Sequence, residues 1–229
     1  MLIETLIALT SMSIFLVIYH HLGYPIILRI AKKFKGQPSL PLCNAPHYRM
    51  QNAKSSYVKA TYPQVTVIMP AYNEGEYIQE KIRNLACQDY PSDSFKVILG
   101  CDGCTDNTAA LAREVLQEDI CKHLQLEVFD FSVNRGKVSV LNALIPKAEG
   151  SIVALTDVSS LVSIDALSVV AARFKDPKVG AVNGNYRLLN PGSAGEAVYW
   201  RYQSQIKIGE EALGSVLGAH GAFYAIRKE

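Results

Sequence analysis

Val65-Thr66-Val67-Ile68-Met69-Pro70-Ala71-Tyr72-Asn73-Glu74 is the stretch whose reading decides the fold. Its first five residues are β-branched or apolar and form a strand; Pro70 stops it, and a polar turn follows. Working outward, Glu76–Gln88 carries Ile78, Ile82 and Leu85 at helical spacing. Lys96–Gly100 reads as a second strand, and Thr108–Gln117 as a helix with Ala109, Ala112 and Leu116 on one face. Leu124–Phe131 is a third strand, and Val138–Ala148 a helix carrying Leu141, Leu144 and Ile145. Ser151–Leu155 and Val179–Asn183 are further strands on either side of a helix over Ile164–Phe174. A long helical stretch, Ala194–Leu217, precedes a last strand at Ala222–Ile226. Apolar strands alternating with helices predict an α/β fold of βαβ units around a mainly parallel sheet. Such sheets bind ligands beyond the carboxyl ends of their strands, near the switch in strand order.

Composition removes other classes. Of 229 residues, 49% are hydrophobic and 19% charged, which excludes a disordered chain. A formal net charge of +2 leaves no electrostatic footprint for nucleic acid. The five Cys (43, 87, 101, 104 and 121) are odd in number and scattered, unlike a secreted disulfide framework. Cys101-Asp102-Gly103-Cys104 follows a strand, which permits a redox reading; a zinc site would need a second pair, and none has the spacing.

From Thr5 to Leu28 the sequence holds no Asp, Glu, Lys or Arg over 24 residues. A helix of that length spans ~36 Å, enough for a bilayer core of ~30 Å. His20, His21 and Pro25 weaken its second half. A secretory signal would carry positive charge before the apolar run, but only Glu4 precedes it. Arg29, Lys32, Lys33 and Lys35 follow it, which by the positive-inside rule sets the remaining chain on the cytoplasmic side. The expected organisation is a single-pass anchor over residues 1–31, a Pro-containing juxtamembrane linker over 32–63, and one α/β domain over 64–229.

Polar turns follow each of the first four strands. They are Pro70–Glu74, Asp102–Thr108, Asn134-Arg135-Gly136-Lys137 and Thr156-Asp157-Val158-Ser159-Ser160. Asp102-Gly103 has the chemistry of a turn, and Asp106, Asn107 or Thr108 can cap the next helix. Lys137 at a helix start opposes the helix dipole, which a bound phosphate would explain. Gly136-Lys137-Val138-Ser139 lacks the hydroxyl beside Lys that a Walker A loop has, and no G-x-G-x-x-G follows the first strand. Asp157 ends an apolar strand, where a divalent cation with oxygen ligands would satisfy it, with Ser159 beside the same site. A helix cap is the plainer role for Asp157.

Together these motifs resemble the family 2 glycosyltransferases. Val67–Glu74 followed by Asp102-Gly103-Cys104-Thr105-Asp106-Asn107-Thr108 is similar to the family's opening, whose second motif is usually D-D-G-S-T-D. Asn134-Arg135-Gly136-Lys137 with Leu141-Asn142-Ala143 is similar to N-x-G-K-x-x-A-L-N. Tyr199-Trp200-Arg201-Tyr202, Glu211 and Gly218-Ala219-His220-Gly221-Ala222 resemble the membrane-anchored, polysaccharide-synthase-like members. The resemblance implies a GT-A fold, Rossmann-like, binding a nucleotide-sugar. It assigns Ala71, Tyr72 and Glu74 to the base and ribose, Asp102 to the acidic loop that hydrogen-bonds them, and Lys137 to the base and diphosphate. Asp157 matches the first Asp of D-x-D, which holds Mg²⁺ or Mn²⁺ against the diphosphate, and Ser159 replaces the second. Cys101 and Cys104 then read as substitutions in a nucleotide loop.

The function implied is inverting, metal-dependent transfer from a nucleotide-sugar, by family default a UDP-sugar, to a glycan or lipid acceptor. The family's catalytic-base Asp and Q-x-x-R-W are expected beyond Glu229, so these residues carry mainly the donor-binding half. His220 is the nearest candidate proton acceptor. The competing reading is a catalytically inactive nucleotide-sugar-binding membrane module, and a redox membrane protein using Cys101 and Cys104 is a third.

Overall fold

The structure, a computed structural model, describes residues 1–35, 62–188 and 192–228. Residues 36–61, most of the expected linker, lie outside the described residues. The chain forms two compact units, Met1–Leu42 with Asn185–Gly218, and Cys43–Gly184 with Ala219–Glu229. Residues 185–218 thus group with the N-terminal helices.

The reason lies in the packing of the first unit. It holds α1 (Leu2–Ile18), α2 (Tyr24–Lys35) and a long helix, Ala194–Leu213. Leu28 of α2 is buried, and the Tyr24 hydroxyl donates to Glu210 Oε1 at 2.7 Å. Glu210 Oε2 accepts the Leu217 N–H at 3.1 Å, so the buried carboxylate is paired on both oxygens. Between α1 and α2, Tyr19–Gly23 forms a π-helical turn. Pro25 has no N–H and would clash in a regular helix, and the wider turn before it absorbs the mismatch. The Tyr202 hydroxyl lies at 3.4 Å from the His20 carbonyl in that turn. Leu2–Phe34 is long and apolar enough to cross a membrane, and its most apolar window has no buried residue.

The second unit is a six-stranded sheet with helices on both faces. In chain order it contains β1 (Val65–Ala71), α3 (Ile78–Ala86), β2 (Phe95–Asp102), α4 (Thr108–Glu114), β3 (Leu126–Phe131) and α5 (Lys137–Leu144). It continues with β4 (Ile152–Thr156), α6 (Ala166–Arg173), β5 (Ala181–Asn183) and β6 (Phe223–Arg227). The helix of the first unit, Ala194–Leu213, is α7. The sheet order is β3-β2-β1-β4-β6-β5. β1 through β4 run parallel, while β6 lies antiparallel to both β4 and β5. A mixed, mostly parallel, GT-A-like sheet is thus what the alternating pattern produces.

Burial follows the two-residue period of strands. Val65, Val67 and Met69 join one core cluster with residues of α3, α4 and α6. Ile68 joins the other, with Val140 and Leu144 of α5. Both faces are covered, as parallel sheets require. One strand end differs from expectation: β1 continues through Pro70 to Ala71. Pairing with β4 ends at Ile68–Leu155, so the N–H that Pro70 lacks is not needed on that side.

Candidate functional site

Strand order reverses between β1 and β4, and the loops after β1, β2, β3 and β4 gather at that crevice. The first two are stitched together. Asn73, at φ 53°, accepts the Thr105 N–H on Oδ1 at 2.8 Å. Its own N–H points to Cys104 Sγ at 3.5 Å. The Thr108 hydroxyl oxygen accepts the Glu74 N–H at 2.9 Å, and Asp106 accepts the N–H groups of Gly75 and Thr108, each at 3.0 Å. Burial alone would raise the Asp106 carboxyl, but the Thr108 hydroxyl and these N–H groups outweigh it and hold the carboxyl low.

Ala71 is buried at the strand end, leaving its backbone as what it offers, whereas the Tyr72 side chain stands 51% exposed at the mouth. Asp102 is 3% exposed. Its Oδ1 accepts the Arg135 N–H at 2.9 Å, and its Oδ2 the Gly136 N–H at 2.7 Å. Asp102 therefore braces the third loop, and both its oxygens are engaged in doing so. Gly103 makes this approach possible, for a Cβ there would collide with the backbone of Val133 and Asn134; its N–H donates to the Phe131 carbonyl at 2.9 Å. The Arg135 guanidinium lies 3.8 Å from the Phe131 ring centroid, in the range of a cation–π contact.

Asp157 follows β4 and forms an ion pair with Lys137 at the start of α5. A Cβ on Gly221 would lie 3.3 Å from both Asp157 Oδ2 and Lys137 Nζ, so glycine leaves this cradle open. Glu74 is close enough to matter electrostatically: burial, then the charges of Asp157 and Asp106, push its carboxyl above the usual range. Ser159 is exposed, whereas Ser160 turns inward and donates to the Ala222 carbonyl at 2.8 Å. The structure thus brings Glu74, Lys137 and Asp157 together with Gly221, and records no contact joining Ser159 to them.

An oxygen-ligated divalent cation fits this place. The cradle beside Asp157 is open, a Lys ammonium already sits on the carboxylate as a positive stand-in, and the donors are hard oxygens suited to Mg²⁺ or Mn²⁺. Among the described residues no group of three His, Cys, Asp or Glu could hold a metal alone. Mg²⁺-type sites meet that shortage with substrate phosphates. Gly221→Ala is expected to weaken nucleotide binding several-fold in a calorimetric titration, with the thermal midpoint nearly unchanged.

His220 has its Nδ1 engaged by the Ala222 N–H at 3.2 Å. That ring nitrogen is therefore an acceptor, which assigns the ring proton to Nε2 in the neutral form. Cys104 Sγ donates to the Ala71 carbonyl at 3.6 Å, and Cys101 is fully buried. Burial, then its neighbour Cys104, pushes the Cys101 thiol up to about 12, opposite to a reactive redox cysteine. Sequence reasoning passed over Asn73 and Gly221 as site residues, although both stood inside the quoted motifs.

Fold and strand-end loops together define a GT-A-like architecture. The family described as "Glycosyltransferase like family 2" matches residues 63–229, and the chain belongs to it. Poly-beta-1,6-N-acetyl-D-glucosamine synthase of Staphylococcus epidermidis (strain RP62A) is 31% identical over 183 residues, 76% of this chain and 43% of that protein. The synthase of the same name from Staphylococcus aureus (strain COL) is 31% identical over 169 residues, 72% of this chain and 39% of that protein. The chain thus spans about two fifths of the length of these relatives. Among solved structures, the mannosyltransferase PcManGT from Pyrobaculum calidifontis, in complex with GDP-Man and Mn²⁺, superposes with a TM-score of 0.68 at 27% identity. That match covers 91% of this chain and 53% of the mannosyltransferase. Residues 1–349 of Staphylococcus aureus TarS match at a TM-score of 0.51 and 26% identity, over 57% of this chain and 38% of that one.

Proposed function

We propose that this chain is the donor-binding part of a membrane-anchored, inverting glycosyltransferase. It takes a nucleoside-diphosphate sugar, a UDP-sugar by the family's habit, and serves transfer to a glycan or lipid acceptor in polysaccharide synthesis. The observation that carries this reading is the convergence of Glu74, Lys137, Asp157 and Gly221 at the β1/β4 switch point. The mannosyltransferase bound to GDP-Man and Mn²⁺ and the glucosamine-polymer synthases support the class of donor and product.

Each residue then has a role. Tyr72 offers its exposed ring to the base, and the backbone at Ala71 lines the same wall. Asp102 holds the 134–136 loop so that Lys137 stands over the diphosphate. Asp157, with Glu74 close by, would hold Mg²⁺ or Mn²⁺, and the exposed Ser159 stands at the position of the family's second Asp. The cation would neutralise charge developing on the departing nucleoside diphosphate, and the Lys137 ammonium supplements it. The exposed helix Leu2–Phe34 anchors the chain in the bilayer. The basic residues Arg29, Lys32 and Lys33 favour a cytoplasmic catalytic domain.

The test is a titration of the full chain in detergent with UDP, GDP and Mn²⁺. Too few protein ligands surround Asp157 to hold a metal alone, so Mn²⁺ by itself is expected to bind weakly. Adding UDP is expected to tighten Mn²⁺ binding at least tenfold, and Mn²⁺ to tighten UDP by the same factor through linkage. Absence of heat with either nucleotide in the presence of Mn²⁺ overturns the reading.

A further inference from the structure

Lys81 lies outside every motif and is 0% exposed, on the buried face of α3. Its neighbours on that face, Ile78, Ile82 and Leu85, are apolar core residues. A buried cation there is costly, and an apolar residue of similar size would pack with no charge to desolvate. The charge needs a local reason.

Its hydrogen bonds supply one. Lys81 Nζ donates to Thr156 Oγ1 at 2.7 Å and to the Ser160 carbonyl. These two residues flank the Asp157–Ser159 turn on either side. The Thr156 hydroxyl in turn donates to the Ala222 carbonyl at 2.8 Å, and the Ser160 hydroxyl donates to the same oxygen at 2.8 Å. Ala222 follows Gly221, the residue that keeps the space beside Asp157 open. One amine thus ties the helix after β1, the end of β4 and the approach to β6 into a single knot beneath the carboxylate.

Chemistry at Lys81 itself is excluded by access. Burial pushes its ammonium down to about 7, against the pull of Asp157, a value that elsewhere marks catalytic lysines. Here no solvent or ligand reaches the nitrogen. A neutral amine keeps two N–H donors, enough for both bonds, so the knot holds in either protonation state.

The geometry points to Lys81 as a positioning residue for the donor site, one that fixes the 156–160 turn and, through Ala222, Gly221, so that Asp157 faces the diphosphate. The inference rests on the donor-binding reading above, and it concerns only the metal-dependent share of donor affinity.

Lys81→Met in the full chain is the primary test, with UDP affinity measured by calorimetry with and without Mn²⁺, beside a thermal melt. The expected result is a stable variant whose metal-free UDP affinity stays within twofold of wild type. Its Mn²⁺-dependent gain in affinity is expected to fall at least tenfold. A purely structural lysine would instead move the melt and both affinities together, and that result overturns the proposal, as does an unchanged Mn²⁺-dependent gain. If Lys81→Met does not fold, Thr156→Val decides: it retains the amine and the shape but removes the hydroxyl that accepts from Lys81 and donates to Ala222. A selective, smaller loss of the Mn²⁺-dependent gain in Thr156→Val supports the proposal, and no selective loss overturns it. Wild type that fails to bind UDP with Mn²⁺ overturns the functional reading and this inference together. Wild type that binds beside an unaffected Lys81→Met overturns this inference alone.

Discussion

Asp157→Asn is expected to remove nearly all of the Mn²⁺-dependent affinity for a nucleoside diphosphate while leaving the fold intact. Asn has the same shape and keeps a carbonyl oxygen, so the turn after β4 has no steric reason to change. What disappears is the negative charge that pairs with Lys137 and would face the cation. Without that charge the affinity for UDP with Mn²⁺ is expected to fall at least tenfold, about 1.4 kcal/mol. Calorimetry with UDP and Mn²⁺ reads the affinity, and a melt in detergent reads the fold. An Asp157→Asn protein that binds UDP·Mn²⁺ like wild type would detach the metal from this carboxylate and with it the central assignment.

The second large effect is expected at Gly103, where stability and binding fall together. Its φ is +66°, a region that L side chains rarely adopt. A Cβ there would lie 2.3 Å from the Asn134 nitrogen and 2.7 Å from the Val133 carbonyl carbon. Both are backbone atoms, so the 133–136 loop as a whole has to move. Movement breaks the two N–H bonds that Asp102 accepts, and leaves a buried carboxylate short of partners. Unmade bonds of this kind cost about 1–3 kcal/mol each, and a strained residue adds a similar amount. Gly103→Ala is therefore expected to lower the thermal midpoint by roughly 5–15 °C. It also shifts Lys137, so UDP affinity without metal is expected to drop at least tenfold. An unchanged melting temperature would mean that the β2 and β3 loops are not joined as described.

Much of this was legible in the sequence because local rules and tertiary structure agree. The strand from Val65 to Met69 is apolar for both faces of a covered sheet, and Asp157 stood out as a carboxylate at the end of an apolar strand. Legibility failed where a residue's partner is remote in the chain. Asp102 was read only for what its loop would offer a base or ribose; its bonds to backbone N–H groups more than thirty residues away had no local signal. Lys81 drew no attention in the sequence, since periodicity does not tell a solvated lysine from one that bonds a turn beyond residue 155. Ser159 was chosen by its spacing from Asp157, but the tight turn sends Ser160 inward. Pro25 and Pro70 were read as weak points. In three dimensions a π-helical turn and an unneeded N–H accommodate them. The grouping of α7 with the N-terminal helices had no signal in hydrophobic period, because Tyr24 and Glu210 meet across most of the chain.

The reversed strand β6 has a consequence for synthesis. β4 is buried along its whole length and lies between β1 and β6 in the finished sheet. On the ribosome its residues emerge well before 223–227 can pair with them, while α7 is still to be made. Throughout that interval β4 is an apolar edge strand, the kind of surface that recruits other chains. Gly221 also arrives only with β6. The chain therefore covers this edge and closes the cradle beside Asp157 in one event, and a nascent chain stopped short of that event would offer a sticky edge before the cradle exists.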